Sequence, residues 1–136
     1  MENNFTIPFI LIVLHFINDF IFQDEEWAVN KSRSITALLN HTKTYSLLWT
    51  IPIFFIIKYF GDDFNILQIV VKTIDFVLIT FIMHTLTDYF TSKVTSYLYS
   101  RGKYGSSIPN LGFFTMIGFD QVLHYAQLFM TIYILL

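Results

Sequence analysis

The chain has 136 residues, of which 54% are hydrophobic, 19% aromatic and only 13% charged. Soluble domains carry about a quarter charged residues, so this composition argues against a soluble domain and predicts a membrane protein. A formal net charge of −2 leaves no basic surface typical of nucleic-acid binding, so no nucleic-acid partner is expected. The absence of cysteine excludes disulfides, thiolate metal sites and cysteine nucleophiles.

Four long apolar stretches predict an all-α integral membrane four-helix bundle that forms one domain over residues 1–136. Each stretch approaches or exceeds the length of helix that crosses about 30 Å of hydrocarbon. The predicted spans cover residues of about 5–22, 35–60, 66–99 and 111–136.

The first two spans carry local signals for their ends and bends. After the first span, a polar segment with mixed charge is predicted to form a short interfacial helix, with Trp27 at the level of the lipid head groups. Ser34 is a candidate N-cap for the second span. Pro52 is expected to kink that span, as prolines commonly do within membrane helices.

The basic residues predict the orientation of the spans. The first and third loops are rich in lysine and arginine, whereas the basic residues at the edges of the second loop, Lys58 and Lys72, are offset by nearby aspartates. Basic loops stay on the cytoplasmic side. The sequence therefore predicts a multi-pass protein of the inner (cytoplasmic) membrane with both termini on the non-cytoplasmic side.

Three histidine–aspartate pairs lie within these spans, each with its members four residues apart. Residues four apart share one face of a helix, so each pair presents an imidazole and a carboxylate to the same neighbour. Ionisable groups within membrane helices are costly and are typical of functional sites. The pairs are His15 with Asp19, His84 with Asp88, and, in the reverse order, Asp120 with His124.

The reversal of the third pair agrees with the predicted topology. The first and third spans run toward the cytoplasm and the fourth runs back, so the reversed order places every carboxylate about 6 Å nearer the cytoplasm than its imidazole. His41, early in the second span, enters from the same side. All four histidines are therefore expected at one end of one bundle.

Such a cluster predicts a site for a divalent ion such as zinc, manganese or iron, with about one or two ions per chain. The spans are expected to offer the carboxylates no nearby lysine or arginine, since Lys72 lies toward the opposite face and Lys93 lies beyond Asp88. Alternatively, some of the carboxylates accept the second N–H of a ligating imidazole and orient it without binding the ion themselves. A polar network that holds the helices together and a proton or ion pathway are the competing interpretations. The candidate metal ligands are His15, Asp19, His41, His84, Asp88, Asp120 and His124.

Candidate catalytic and substrate residues surround the predicted site. The carboxylates nearer the cytoplasm, Asp120 and Asp19, are the candidate general bases. A weaker set could orient a substrate or a ligand, although a tyrosine there is more often an interface anchor and the basic residues more often set topology. This weaker set is Gln23, Tyr45, Gln121, Arg101 and Lys103.

The ordered motifs resemble a known family. A His-x-x-x-Asp-Phe-x-x-Gln motif, a later His, a His-x-x-x-Asp pair and an Asp-Gln-x-x-His motif follow one another along nearly the whole chain. This pattern resembles the small multi-pass membrane family catalogued as domain of unknown function 3307, found in bacteria and phages. The resemblance implies the fold and the site, but no reaction. The chain departs from the family pattern at Thr91, where a basic residue is common; Lys93 is nearby.

Together these features favour a metal-dependent hydrolase that acts on a lipid-like or phosphoester substrate at the membrane. A looser similarity to membrane-bound proteins described as metal-dependent hydrolases is an analogy only. The alternatives are a carrier of metal ions or protons, and a small membrane effector with a structural metal or polar network. Transport is less favoured because the outer halves of the first and fourth spans offer only Thr6, Gln127 and Thr131 as polar side chains. The sequence does not predict an oligomeric state.

Overall fold

The computed structural model describes residues 5–61, 63–103 and 111–136, and every regular element within these ranges is helical. The predicted all-α fold is confirmed. The N-terminal tail, Asp62 and most of the third loop lie outside the described residues. In chain order the elements are α1 (Thr6–Phe16), a π-helical turn (Ile17–Ile21), α2 (Glu25–Asn30), α3 (Ile35–Leu48), α4 (Thr50–Phe60), α5 (Ile66–Ser100) and α6 (Leu111–Leu135).

The first predicted span is not a regular α-helix throughout. Helix α1 continues directly into the π-helical turn, where the Phe22 N–H donates to the Ile17 carbonyl at 3.0 Å, five residues back. A π-helical turn holds more residues than an α-helical one. Side chains in this turn therefore point in different directions from those expected for a continuous α-helix.

Side-chain caps begin the next two helices. The Asp24 carboxylate accepts the Trp27 N–H at 3.1 Å and starts α2, the short helix expected after the first span. The Ser34 hydroxyl oxygen accepts the Ala37 N–H at 3.2 Å, so Ser34 is the N-cap of α3, as predicted. Each cap satisfies an amide that has no partner within its helix.

The second predicted span is divided into α3 and α4 at Trp49. Pro52 lies in the first turn of α4, where it has no N–H to donate and its ring would clash with the Leu48 carbonyl in a continuous helix. The break therefore lies three residues before the proline, instead of a kink at Pro52 itself. The Trp49 side chain at the break is fully buried.

Helix α5 is the spine of the fold and packs against α3, α4 and α6. It starts with a capping box, in which Asn65 accepts the Gln68 N–H and the Gln68 side chain accepts the Asn65 N–H. Among the described residues, α5 is the one helix long and apolar enough to cross a membrane, and its most apolar 18-residue stretch has a mean hydropathy of 2.1. The first apolar segment, Thr6–Ile21, is shorter, the second is divided, and α6 carries several polar residues.

The two ends of the bundle differ in the polarity of their interiors. One end has an apolar core built around Leu11, Trp49, Ile53, Phe76 and Leu128. The Lys72 Nζ donates to the Leu135 carbonyl at 2.6 Å at this end, which places the start of α5 beside the end of α6. The two helices therefore run antiparallel, and His84 and His124 lie near the middle of each helix.

Candidate metal centre

The structure brings the seven predicted metal-ligating side chains into one cluster. The four imidazoles come from α1, α3, α5 and α6, and the carboxylates come from the π-helical turn, α5 and α6. The histidines and two of the aspartates are buried: His15, His84, His124 and Asp88 are 0% exposed, His41 2% and Asp19 4%. Asp120 is partly buried, with 14% of its side chain exposed.

Two imidazoles face each other at the centre of the cluster. The Nε2 atoms of His41 and His84 are 3.3 Å apart. The Asp19 Oδ1 lies 3.2 Å from the first of these nitrogens and 3.5 Å from the second. The Asp88 Oδ2 lies 3.1 Å and 3.5 Å from the same two atoms. Each carboxylate oxygen thus forms a triangle with the two nitrogens.

The edges of these triangles match the spacing of ligands around a metal ion. Ligand atoms at about 2.0 Å from a tetrahedral zinc ion are about 3.3 Å from one another. A hydrogen bond between the His41 and His84 nitrogens requires one of them to accept with its lone pair, while the neighbouring carboxylates can accept a proton from the other. An ion at this position would satisfy both nitrogens and the adjacent carboxylates.

Asp88 links this group to a second one. Its Oδ2 faces His41 and His84, while its Oδ1 lies 3.4 Å from the Nε2 of His124. The Asp120 Oδ2 is also 3.4 Å from that nitrogen. Asp88 is therefore placed as a carboxylate that could bridge two ligand groups, one around His84 and one around His124.

His15 differs from the other histidines because hydrogen bonds occupy both of its ring nitrogens. The Tyr45 hydroxyl donates to Nδ1 at 2.7 Å, and Nε2 donates to the Gln121 Oε1 at 2.7 Å. This pairing leaves no lone pair on His15 for a metal ion. In this geometry His15 supports the cluster from its edge, and Asp19 lies 3.8 Å away.

The π-helical turn explains why Asp19 does not simply pair with His15. In a regular α-helix the two side chains would lie one above the other on one face. The turn begins two residues after His15 and changes the direction of the Asp19 side chain. Its carboxylate consequently points toward His41 and His84, across the bundle.

Lys31 corrects the expectation that no basic residue lies near the carboxylates. Its Nζ donates to the Asp88 Oδ2 at 3.0 Å, although Lys31 belongs to the turn after α2. Burial lowers the pKa of this lysine, but the carboxylates of Asp88 and Asp19 outweigh burial and raise the pKa above its usual value. The sequence predicts that the basic residues of the first loop mainly set topology, and it does not show that the turn after α2 folds back onto the cluster.

A cleft of about 440 Å³ opens directly onto the cluster. Two of the cluster carboxylates, Asp19 and Asp120, line it together with Lys31. The predicted substrate residues Gln23 and Gln121 also line it. The remaining lining residues are Phe20, Ala28, Val29, Ser32, Thr91, Ser92, Thr95, Ser96, Phe113, Met116 and Ile117.

The other predicted substrate residues lie elsewhere. Tyr45 is 1% exposed and stacks on the His84 ring with centroids 3.9 Å apart, so it is neither an interface anchor nor a wall of the cleft. Arg101 and Lys103 are exposed at the end of α5 and do not line the cleft. Burial of Tyr45 follows from its position one turn after His41 on the inner face of α3.

Thr91 is a second residue that sequence reasoning did not place in the site. Its hydroxyl oxygen lies 2.5 Å from the Asp120 Oδ1, to which it can donate. Gln121 also donates from Nε2 to the Asp120 Oδ2 at 3.3 Å. These two donors hold the Asp120 carboxylate at the inner wall of the cleft. The departure from the family pattern at Thr91 was the available signal.

Several atoms of the cluster lack hydrogen-bond partners among the described residues. They include the Asp19 Oδ1, the Asp88 Oδ1, the Nδ1 of His84 and both ring nitrogens of His124. Buried polar atoms are normally paired, so unpaired ones call for an explanation such as an ion. With neutral imidazoles, three carboxylates and one ammonium leave the cluster a formal charge of two minus. A divalent ion would neutralise it.

Comparison with known proteins identifies the family. The family model described as "Protein of unknown function (DUF3307)" matches residues 7–136, so the chain belongs to this family. No curated protein and no solved structure matches the chain. The family is therefore established, whereas its description states no activity.

The contact between Lys31 and Asp88 predicts a measurable loss of stability in Lys31→Gln. Removing one partner of a buried ion pair leaves the other charge uncompensated. Because 21% of the Lys31 side chain is exposed, we expect a loss of about 1–3 kcal/mol in the free energy of unfolding, below the roughly 3–5 kcal/mol of a fully buried pair. Arg33→Gln removes the same charge from an exposed neighbour and should change stability by less than about 0.5 kcal/mol.

The pH dependence of this difference provides a second check. Because the pKa of Lys31 is raised in the folded state, its ion pair contributes its full share of stability below the usual lysine pKa of 10.5. This stability is lost as the pH rises through the higher pKa of the folded state. Unfolding of the wild type and Lys31→Gln should be compared from neutral to strongly alkaline pH. Equal stabilities of the two proteins at neutral pH would contradict the ion pair.

Proposed function

We propose that this DUF3307 protein is a multi-pass membrane protein that binds a divalent metal ion in its His/Asp cluster and hydrolyses a lipid-like or phosphoester substrate in the adjoining cleft. The observation that carries the proposal is the convergence of His41, His84, Asp19 and Asp88. The facing atoms come from three separate segments, and each carboxylate oxygen forms with the two imidazole nitrogens a triangle whose edges, 3.1–3.5 Å, match the spacing of metal ligands.

The distribution of polar and apolar side chains supports membrane embedding. The interior holds all four histidines, whereas large apolar side chains such as Phe9, Ile51 and Ile82 are 67%, 71% and 55% exposed. Only 22% of the most apolar 18-residue stretch of α5 is buried within the protein, whereas the core helix of a soluble protein is mostly buried. Apolar surface of this extent requires a partner such as lipid. We propose that α1, the α3–α4 pair and α6 cross the bilayer beside α5.

The chemistry of the donor set favours a borderline divalent ion. Imidazole suits zinc, iron and related ions, while carboxylates also suit manganese. Zinc, manganese and iron are therefore the candidate ions. The group around His41 and His84 is the better candidate for the first ion. The position between His124, Asp120 and Asp88 is the candidate for a second ion, with Asp88 as the bridge.

A divalent ion held by these residues supplies an activated water and a Lewis acid for a carbonyl or phosphoryl oxygen. The protein residues then have to position the substrate and move protons. Asp120 lines the cleft, and its carboxylate is held by Thr91 and Gln121. This arrangement fits a general base that removes a proton from the attacking water. Asp19 also lines the cleft, but its close approach to His41 and His84 favours a ligand role.

The packing beyond the cluster favours a one-sided site over a carrier. One turn deeper, the Gln127 Nε2 donates to the hydroxyls of Thr80 and Thr131, each at 3.2 Å. The apolar core around Leu128 and Phe76 then fills the rest of the described interior. A transport path would need polar side chains to continue through this core. A chemical site that opens only toward the cleft fits the packing better.

Metal content tests the central step of the proposal. Purified wild-type protein should contain about one or two divalent ions per chain by elemental analysis. His84→Ala should lose most of this metal, because it removes the nitrogen shared by both carboxylate triangles. Gln127→Ala removes a buried polar side chain of α6 outside the cluster and should retain the metal. Circular dichroism would establish that each variant is folded.

Two results would count against a metal centre. The first is that wild-type protein, purified without chelators, contains no divalent ion even after incubation with zinc, manganese or iron. The cluster would then be interpreted as a polar network that holds the helices together. Full metal content in folded His84→Ala would remove the proposed ligand group.

Asp120→Asn tests the catalytic assignment. The substitution keeps the shape of the side chain but removes the base, so the protein should remain folded and retain at least one ion. We expect hydrolysis to fall by about 100-fold or more, the usual contribution of a general base. Activity should be screened on phosphoester and acyl-ester lipids, with metal content measured in parallel. Full activity in the variant would exclude Asp120 as the base.

Labelling of introduced cysteines tests the proposed topology, since the natural chain has none. Cysteines at Ser32 and Lys103 should react with an impermeant reagent only from the cytoplasmic side. A cysteine at Asn65 should react only from the opposite side, because the basic loops stay in the cytoplasm. Reaction of all three positions from the same side would contradict the alternating spans.

A further inference from the structure

We infer that the cleft binds a single-chain amphiphile with a phosphate-bearing head group, which contacts Lys31 while its chain lies against the apolar wall formed by α6. This inference deepens the proposed function and rests on it for the placement of the head group beside a metal ion. The binding of the amphiphile can nevertheless be measured separately from metal binding.

The first support is the continuity between cleft and cluster. Asp19 and Asp120 belong to both, so a molecule in the cleft reaches the inner carboxylates without crossing any other side chain of the wall. The volume of about 440 Å³ lies within the range of small-molecule sites. A head group and the first part of one chain fit a cleft of this size better than a lipid with two chains.

The second support is the free hydrogen-bonding capacity of Lys31. An ammonium group has three N–H donors. One of them donates to the Asp88 Oδ2, and the described residues provide no other hydrogen bond to this group. With one divalent ion bound, the cluster including Lys31 is formally neutral, so the ammonium no longer has to offset an excess of negative charge. Its remaining N–H donors can then donate to an anionic head group.

The third support is a row of hydroxyl groups on α5. Ser92 and Ser96, together with Thr91 and Thr95, line the same side of the cleft at helical spacing. The threonine hydroxyls already have partners, but the buried Ser92 Oγ has none among the described residues. A phosphate presents more acceptor oxygens than a carboxylate does. Lysine and serine donors together therefore favour phosphate over a fatty-acid carboxylate.

The fourth support is the apolar side of the cleft. Phe113, Met116 and Ile117 follow one another on α6 at intervals of three and one, which places them on one face of the helix. Phe20 and Val29 continue the apolar lining from the first part of the chain. A small polar substrate would leave this surface without a function, whereas a hydrocarbon chain would cover it.

Binding of defined lipids to protein in phosphatidylcholine nanodiscs tests the inference. The probes are monooleoylglycerol phosphate, monooleoylglycerol, oleate and inorganic phosphate, each measured with metal-loaded and chelator-treated protein. We expect the phosphorylated lipid to bind at least about tenfold more tightly than each of the other three, a difference of about 1.4 kcal/mol. Equal affinity for monooleoylglycerol, for oleate or for inorganic phosphate would overturn the inference.

Matched variants separate the head-group contact from the chain contact. Lys31→Gln should weaken binding of both phosphorylated probes about tenfold or more, since hydrogen bonds to charged groups are among the stronger ones. Lys31→Arg keeps the charge and should bind within a few-fold of wild type, as should Arg33→Gln, the exposed control. Ile117→Ala should weaken the lipid only, compared with the exposed control Val122→Ala. Unchanged lipid affinity in folded Lys31→Gln would overturn the assignment of Lys31.

Ser92→Ala keeps the test decisive if Lys31→Gln is poorly folded. It removes an unpaired hydroxyl without disturbing an ion pair, and it should weaken both phosphorylated probes about threefold or more. Unchanged affinity of folded Ser92→Ala for both phosphorylated probes would overturn the head-group site.

Failure of the metal-centre proposal can be distinguished from failure of the lipid-binding inference. Wild type that takes up no metal yet binds the phosphorylated lipid through Lys31 would retain the inference and remove the metal centre, while metal-loaded protein without lipid preference would do the reverse.

Discussion

The burial of three carboxylates among four imidazoles is the constraint on which the rest of the structure depends. Charged groups in an apolar interior are unstable unless other charges or hydrogen bonds compensate them. Four helical segments meet at one end of the bundle to bring these groups together, and Lys31 folds back from a surface turn to contact Asp88. The compensation supplied by one lysine is incomplete, because a formal charge of two minus remains with neutral imidazoles. This remainder supports the proposal that a divalent ion occupies the site.

The position of the cluster explains the division of the interior into two halves. At the polar end, hydrogen bonds and ion pairs hold α1, α3, α5 and α6 together, and the cleft gives access from outside. At the other end, apolar packing around Trp49 and Leu128 dominates, and the hydrogen bond from Lys72 to the Leu135 carbonyl joins α5 to α6. In the membrane setting that we propose, packing and interhelical hydrogen bonds would hold the helices together, because lipid removes most of the hydrophobic force between them. The polar half, held mainly by hydrogen bonds and ion pairs, is the half that can carry chemistry.

The prediction from sequence succeeded where it used the regular spacing of residues along a helix. It failed where the outcome depended on how the chain turns in space. Residues four apart in His84–Asp88 and Asp120–His124 share helix faces, so their convergence followed from helical geometry and alternating directions. His15 and Asp19 have the same spacing, but a π-helical turn separates their directions and leaves His15 bound to Tyr45 and Gln121. The break at Trp49 was also missed, because a proline indicates a disturbance in a helix but not the residue at which the helix ends.

The sequence by itself determined the helical fold, the order of the apolar segments and the histidines and aspartates that come together, because these depend on local composition and on the period of the helix. Only the tertiary structure decided which atoms face one another: His41 opposite His84, Asp88 between two groups, and Lys31 inside the site. The physical reason is that these contacts depend on helix rotation and on how a turn folds back. Rotating a helix by the angle of one residue changes which side chains face one another, and a lysine side chain can reach a carboxylate several ångströms away. Neither effect changes the pattern of residues along the chain.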